Sequence, residues 1–209
     1  MVADDPRNLS KMNYANNQFR SKVVFYGTAP SIYGVTIGLR YSGIGGTRYS
    51  MAVSGNMNGD FVSSNDLAYI YDPNSSATPE YIRTGIQAIL NNPDAEQSIK
   101  DYIKRDMGKM AERNGGINDF YGVFDLRLAK RFKLFGNHGL EASVDIFNVA
   151  NLLNKDWGVG KNLGKQNLYA IKSFDKAKQE FVYTMGAGTG VSTLNGNPYQ
   201  VQLGLRYGF

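Results

Sequence analysis

The sequence predicts an all-β chain: a partial antiparallel transmembrane β-barrel made by its C-terminal strands, with long extracellular loops, one containing helix. Three observations predict it. Apolar and polar residues alternate along several segments about as long as a tilted membrane strand. The connections between these segments are short on one side and long on the other, the asymmetry of outer-membrane barrels. Composition agrees, with 24 Gly, 14 Tyr and 11 Phe among 209 residues and no Cys. Such a balance suits strands and turn-rich loops better than a helical enzyme.

The strands follow in chain order. Residues 19–26 carry the weakest pattern, Phe19, Val23 and Phe25 against Arg20, Lys22 and Val24. Residues 34–41 set Val35, Ile37, Leu39 and Tyr41 against Thr36, Gly38 and Arg40. Residues 122–132 set Phe124, Leu126 and Leu128 against Asp125 and Arg127. Residues 139–147 set Leu140, Ala142, Val144 and Ile146 against Glu141, Ser143 and Asp145. Residues 201–209 alternate without a fault, Val201, Leu203, Leu205, Tyr207 and Phe209 against Gln202, Gly204, Arg206 and Gly208. A charged second face suits either the outside of a soluble sheet or the wet lumen of a membrane barrel. On the barrel reading Val35, Ile37, Leu39, Leu126, Leu128, Leu140, Val144, Ile146, Leu203 and Leu205 face the membrane. Arg20, Lys22, Arg40, Asp125, Arg127, Glu141, Asp145 and Arg206 are then lumen-lining candidates, with cross-strand ion pairing as their plainer role.

With the last strand running down, the turns at 27–33 and 134–138 fall at the bottom, and connections 44–119 and 148–198 fall outside the cell. Residues 1–18 read as a disordered or loop lead-in, and 19–209 as the barrel portion. Tyr26, Tyr33, Phe132, Phe135, Tyr207 and Phe209 would gather at the lower interface, and Tyr41, Phe120, Tyr121, Phe147 and Tyr199 at the upper one.

The long connections have their own content. In the first, Asn56, Asn58 and Asp60, followed by Asn65 and Asp66, offer hard oxygen ligands of the kind calcium takes. The register and terminal Glu of an EF-hand loop are missing, so an ordinary polar turn competes. Pro79 opens a helical pattern, with Ile82, Ile86 and Ile89 or Leu90 at helical spacing. Asn91-Asn92-Pro93 breaks it, Ile99, Ile103, Met107 and Met110 resume it, and Gly115-Gly116 ends it. The segment reads as a lid over the mouth, a contact for a surface partner, or a folded loop packing its stripe on its own barrel. In the second connection, 168–174 and 180–183 read as a hairpin turning near Asp175, and Trp157 and Tyr199 serve as ligand anchors or packing residues.

Several function classes drop out. Without Cys, and with His138 as the single His, there are no disulfides, Cys-ligated zinc or Cys nucleophiles, and a catalytic triad has only His138 to use. His138 falls in a short turn and is assigned no catalysis. The 186–190 Gly-rich stretch lacks the Gly-Lys-Ser/Thr of a phosphate loop. The net charge of +5 comes from scattered Lys and Arg, so no nucleic-acid partner is expected. No enzyme activity and no cofactor other than calcium is expected. The N-terminus lacks the basic and apolar regions of a signal peptide.

Certain stretches resemble the C-terminal end of TonB-dependent outer-membrane receptors, especially the Oar-like branch of Bacteroidetes-type bacteria. They are Asn58-Gly59-Asp60, Asn65-Asp66-Leu67-Ala68-Tyr69-Ile70 and Glu112-Arg113-Asn114-Gly115-Gly116, then 124–132, Asp145-Ile146-Phe147-Asn148-Val149-Ala150-Asn151-Leu152-Leu153-Asn154, and 202–209. The resemblance implies a place in the outer membrane of a Gram-negative bacterium and energised transport of a bulky solute. It implies contact with outer-membrane lipid and with the barrel-assembly machinery, read through Tyr207 and Phe209. Barrels of this family have about 22 strands, so the chain reads as a fragment. The N-terminal plug and the other barrel strands are missing, and TonB would act only through that plug. Two other readings stand beside it. One is a complete small barrel of about eight strands serving as adhesin or structural protein, recruiting 47–54 and 168–185 into its wall. The other is a soluble β-rich ligand-binding domain.

Overall fold

A computed structural model of the chain describes residues 12–209, so residues 1–11 of the expected lead-in lie outside the described residues. Strands take up 45% of the described residues, and helices are few among them. The elements in chain order begin with β1 (Phe19–Thr28), β2 (Val35–Tyr49), β3 (Met51–Ser54), β4 (Tyr69–Ile70), α1 (Glu80–Asn91) and α2 (Gln97–Arg105). Next come β5 (Lys109–Met110), β6 (Gly116–Ile117), β7 (Tyr121–Lys133), β8 (Gly139–Phe147) and α3 (Val149–Leu153). The chain ends with β9 (Gly160–Asn162), β10 (Gln166–Asp175), β11 (Glu180–Met185), β12 (Thr193–Asn195) and β13 (Gln200–Gly208). They divide into two compact units.

The first unit holds Phe19–Gly45, Phe120–Gly160 and Leu194–Phe209. All five strands expected from alternation are present and lie in the order β1-β2-β7-β8-β13. β7 pairs antiparallel with β2 and β8, and β8 with β13, each without a register shift. The sheet is open, with β1 and β13 at its edges, and no closed barrel forms among the described residues. The short turns are where alternation stops, at residues 29–34 and 134–138. Gly34 sits at φ +75, and a Cβ there would come within 2.9 Å of the Arg131 carbonyl oxygen, so the tight approach of that turn to β7 requires glycine. β2 runs past its expected end at residue 43 because Arg48 and Tyr49 find a new partner in Ile117 and Gly116 of β6.

The second unit holds Gly46–Asp119 and Lys161–Thr193 together with residues 12–18. The two long connections therefore do not stay loops. They build a module with its own hydrophobic core. α1 buries Ile82, Ile86 and Ile89, and α2 buries Ile99, Tyr102 and Ile103. These close on Tyr49, Met51, Val53, Ile70, Leu168 and Tyr169. Pro79 suits the position before the first helical turn, where its missing N–H is no loss, and the break at Asn92-Pro93 separates the helices as the sequence predicts. The isoleucine stripe thus packs on a core drawn from both connections, including Tyr49 at the end of β2. Met107 packs against that core, but Met110 lies exposed in β5, so the stripe ends earlier than expected.

β10 and β11 form the expected antiparallel hairpin, and β3 joins β10 in parallel. This three-stranded sheet is separate from the five-strand path; of the 47–54 and 168–185 segments a small barrel would recruit, only 47–49 belong to that path, as the end of β2. The last residues of the lead-in are tied down. Arg48 stacks its guanidinium 3.3 Å from the Tyr14 ring centroid, and the Asn114 amide donates to Tyr14 O at 2.6 Å and Asn16 Oδ1 at 2.8 Å.

Candidate membrane-facing sheet

The register places the alternating residues in rows across the sheet. Leu203, Val144, Leu128 and Ile37 form one row, and Val201, Ile146, Leu126 and Leu39 the next. Leu205, Ala142, Lys130 and Val35 lie on the other side of the first row, followed by Tyr207, Leu140 and Phe132. Tyr41 and Phe124 bound the opposite end, their rings 4.6 Å apart. All ten expected membrane-facing residues therefore share one face. From Phe124 to Phe132 the strand rises about 26 Å, or about 20 Å along the membrane normal at a tilt of 35–45°. That is close to the roughly 25 Å apolar band of an outer-membrane barrel.

Nothing among the described residues covers this face. Leu203 and Leu205 are 76% and 75% exposed, Leu39 57%, and none of the ten is buried. A sheet in water hides such a face under a second layer, because contiguous apolar patches of more than a few hundred Å² are rarely left open. Lys130 is the one cation in these rows. Its ammonium lies 5.6 Å from the Phe132 ring, toward the 134–138 turn, where a long side chain can snorkel to an interface. At the other end three glycines seat aromatic rings. A Cβ at Gly122 would meet the Tyr41 ring at 2.6 Å, and Cβ atoms at Gly43 and Gly45 would meet the Phe120 ring at 2.5 and 3.3 Å. A side chain at these positions would collide with those rings.

The opposite face is a ladder of ion pairs. Arg127 donates from Nη1 to both Asp145 carboxylate oxygens at 2.8 Å and lies 3.7 Å from Glu141. Arg131 reaches Glu141 at 3.1 Å, and Arg40 lies 4.0 Å from Asp125. These side chains are half exposed or more on the cationic side, so each pair contributes at most about 1 kcal/mol and serves register more than stability. Arg20 and Lys22 fall on this face too, because Phe25 stacks on Tyr41 of the apolar side at 6.4 Å and alternation fixes the rest of β1. Arg206 stands opposite Glu141 in register, on the same face. All eight lumen-lining candidates thus share one side of the sheet.

Alternation corrects the aromatic assignment. Tyr121 and Phe147 have the parity of Arg127 and Asp145, and Tyr26 that of Lys22, so these three lie on the polar face rather than in a lipid-facing girdle. Tyr121 and Phe147 line an open cavity of about 460 Å³ with Asp125 and Asn148. Asn148 is the residue that sequence reasoning did not single out. Buried and left-handed at φ 55, it donates its backbone N–H to Asp125 at 3.0 Å and its side-chain amide to Gly158 O at 3.0 Å and Asn197 O at 2.9 Å. Its side chain also caps α3 by accepting from the Asn151 N–H. At the lower end, Tyr207 hydrogen-bonds His138, and the His138 ring sits 4.5 Å from Phe135. This gives the terminal aromatic pair, with Phe209 6.2 Å from Tyr207, a structural anchor.

In the module, the oxygen-rich loop is a chain of side-chain turns. Asn56 Oδ1 accepts from Gly59 N at 2.8 Å, Asn58 Oδ1 from Asp60 N at 3.0 Å, and Asp60 Oδ1 from Val62 N at 2.8 Å. Bonds from Asn65 and the Val62 N–H hold the Asp60 carboxyl below the usual carboxylate range. Oxygens committed to N–H donors favour the polar-turn reading of Asn56, Asn58 and Asp60 over a calcium site. No cluster of three or more His, Cys, Asp or Glu suited to a metal occurs among the described residues.

A second centre escaped the sequence reading. Asp106, 1% exposed, accepts from Arg105 at 2.9 and 3.0 Å and from the Glu112 N–H at 3.3 Å, and pairs with Lys109 at 3.1 Å. Burial pushes its carboxyl up, but these donors outweigh burial and hold it below its ordinary value. Arg105 also bonds Gly115 O at 2.9 Å, and the Tyr102 hydroxyl donates to Glu112 O. Together they fasten residues 106–116 to α2.

No described helix is long and apolar enough to cross a membrane, which does not bear on strands. Compared with known proteins, the chain matches no protein-family model, no curated protein and no solved structure.

Proposed function

We propose that the chain is a section of a transmembrane β-barrel in the outer membrane of a Gram-negative bacterium, and that it belongs to a TonB-dependent receptor that transports a bulky solute. The carrying observation is the apolar face, continuous across four register-matched strands and covered by nothing among the described residues. Lipid tails would cover it. The unpaired edges of β1 and β13 also support this reading, because a bilayer tolerates no open edge: in lipid they would pair with further barrel strands or with the edges of a second copy of the chain. TonB would act through a plug, and no described element supplies one. Tyr207 and Phe209 on the last strand present the aromatic end that the assembly machinery would read.

In this arrangement the module is the recognition element. It is built from the two long connections, between β2 and β7 and between β8 and β13. No bond chemistry is assigned to it. Epitope tags in the full chain, expressed in a Gram-negative host, test the proposal. A tag at Phe61 should bind antibody on intact cells, and a tag at Asn137 only after permeabilisation. Recovery of the chain in the soluble fraction, or equal access to both tags, would refute it.

A further inference from the structure

The polar face is not electrically balanced. Its three carboxylates, Asp125, Glu141 and Asp145, are all paired with Arg40, Arg127 or Arg131. Four more cations on the same face, Arg20, Lys22, Lys133 and Arg206, have no carboxylate partner among the described residues. Seven cations against three anions leave an excess of four positive charges on one side of a wall one strand thick. The excess is also placed. Arg20 and Lys22 stand near the start of β1, where a Cβ at Gly45 would touch Ser21, while Lys133 and Arg206 stand near the 134–138 turn. The paired ladder lies between them. At the turn end, an open cavity of about 350 Å³ is lined by Arg131, Asn137, Glu141 and Arg206. Arg131 and Arg206 flank the single carboxylate there from strands on either side of β8.

We propose that this face attracts and conducts an anionic solute, one bearing carboxylate or phosphate oxygens, past free cations at both ends of the ladder. The inference rests on the barrel reading given above and names the charge class of the solute. Two physical arguments carry it. Lipid on the far side of the sheet gives the wall a low dielectric constant, which focuses the field of unpaired charges into the lumen and raises the local concentration of oppositely charged solute. Guanidinium groups also present a planar fork of donors that fits carboxylate and phosphate oxygens in pairs. Paired cations would do neither, because Asp145 and Glu141 already occupy their donors.

The test uses the full chain refolded into phosphatidylcholine vesicles, with citrate as the anionic probe and spermine as the cationic one. Flotation with the vesicles is measured first, then probe binding by calorimetry at low and high salt. The expected result is flotation, citrate binding that weakens as salt rises, and no comparable spermine binding. Lys22→Gln with Arg206→Gln should weaken citrate at least tenfold, while Lys22→Arg with Arg206→Lys should keep most of the affinity. A chain that does not float overturns the barrel reading and this inference together. A chain that floats but binds spermine as well as citrate overturns this inference alone. So does citrate binding by the wild type that is insensitive to salt, or a floating Gln variant with unchanged citrate affinity.

Discussion

Leu203→Arg separates lipid from water most sharply among single substitutions. Leu203 pairs with Val144 in the middle of β13, four residues above Tyr207. At about 3.3 Å per residue and a tilt near 40°, a lipid-facing side chain at this position would sit about 10 Å above the lower aromatic row, close to the mid-depth of the apolar band. A cationic side chain at that depth on the lipid face of a barrel costs about 2–4 kcal/mol. Each 1.4 kcal/mol is a factor of about ten, so the folded population should fall roughly 30- to 800-fold relative to the unfolded one. In water the same change should cost within about 0.5 kcal/mol, because the residue is already 76% exposed and has little burial to lose. Urea unfolding of the chain in phosphatidylcholine vesicles, followed by the fluorescence of the single tryptophan, Trp157, reads the difference. Gln202→Arg, one position along on the polar face, is the control. If both variants unfold at the same urea concentration as the wild type, the placement of Leu203 in lipid is wrong.

Other expectations concern the module. Ile103→Ala removes a fully buried side chain beside Ile99 and Tyr102, and should destabilise the module by about 2–5 kcal/mol in denaturant titration. The Asp106 carboxyl is held below its ordinary value of 3.8, so the charged form stabilises the fold, fully so above that value. That contribution should disappear as pH falls from about 4 through the lower folded value, and Asp106→Asn should flatten the acid limb of a melting-temperature profile. At neutral pH the same substitution should cost about 2 kcal/mol through its charge-assisted bonds. Calcium added to chelator-treated protein should shift the melting temperature by less than about 2 °C, given oxygens at Asn56, Asn58 and Asp60 already committed to N–H donors. A larger calcium-specific shift would restore the metal reading.

The five strands of the open sheet were legible because period two is a local signal. Each of the five segments carries its own alternation, and strand order follows once short turns are told from long connections. Loop glycines and aromatics at strand ends are a weaker guide, since parity and not position decides the face. Tyr121 and Phe147 show this by pointing to the polar side. The helices were legible from isoleucine spacing and Pro93, but their packing partner was not. The core that receives them takes Met51 and Val53 from one connection and Leu168 and Tyr169 from the other. Those contacts span more than a hundred residues, and the parallel pairing of β3 with β10 leaves no turn signature in the sequence. Asp106 and Asn148 were missed for a related reason. A buried polar residue looks like any turn residue until its donors and acceptors are in place.

On the proposed reading the Leu203 side of the sheet touches lipid tails. Because the chain has no cysteine, single Cys substitutions from 202 to 207 can each carry one environment-sensitive fluorophore without competing labels. Quenching by vesicle lipids with nitroxide on their acyl chains then reports contact position by position. Strong quenching at 203, 205 and 207 with little at 202, 204 and 206 is the predicted result. Uniformly water-like emission along the strand, or quenching without a period of two, would contradict the claim.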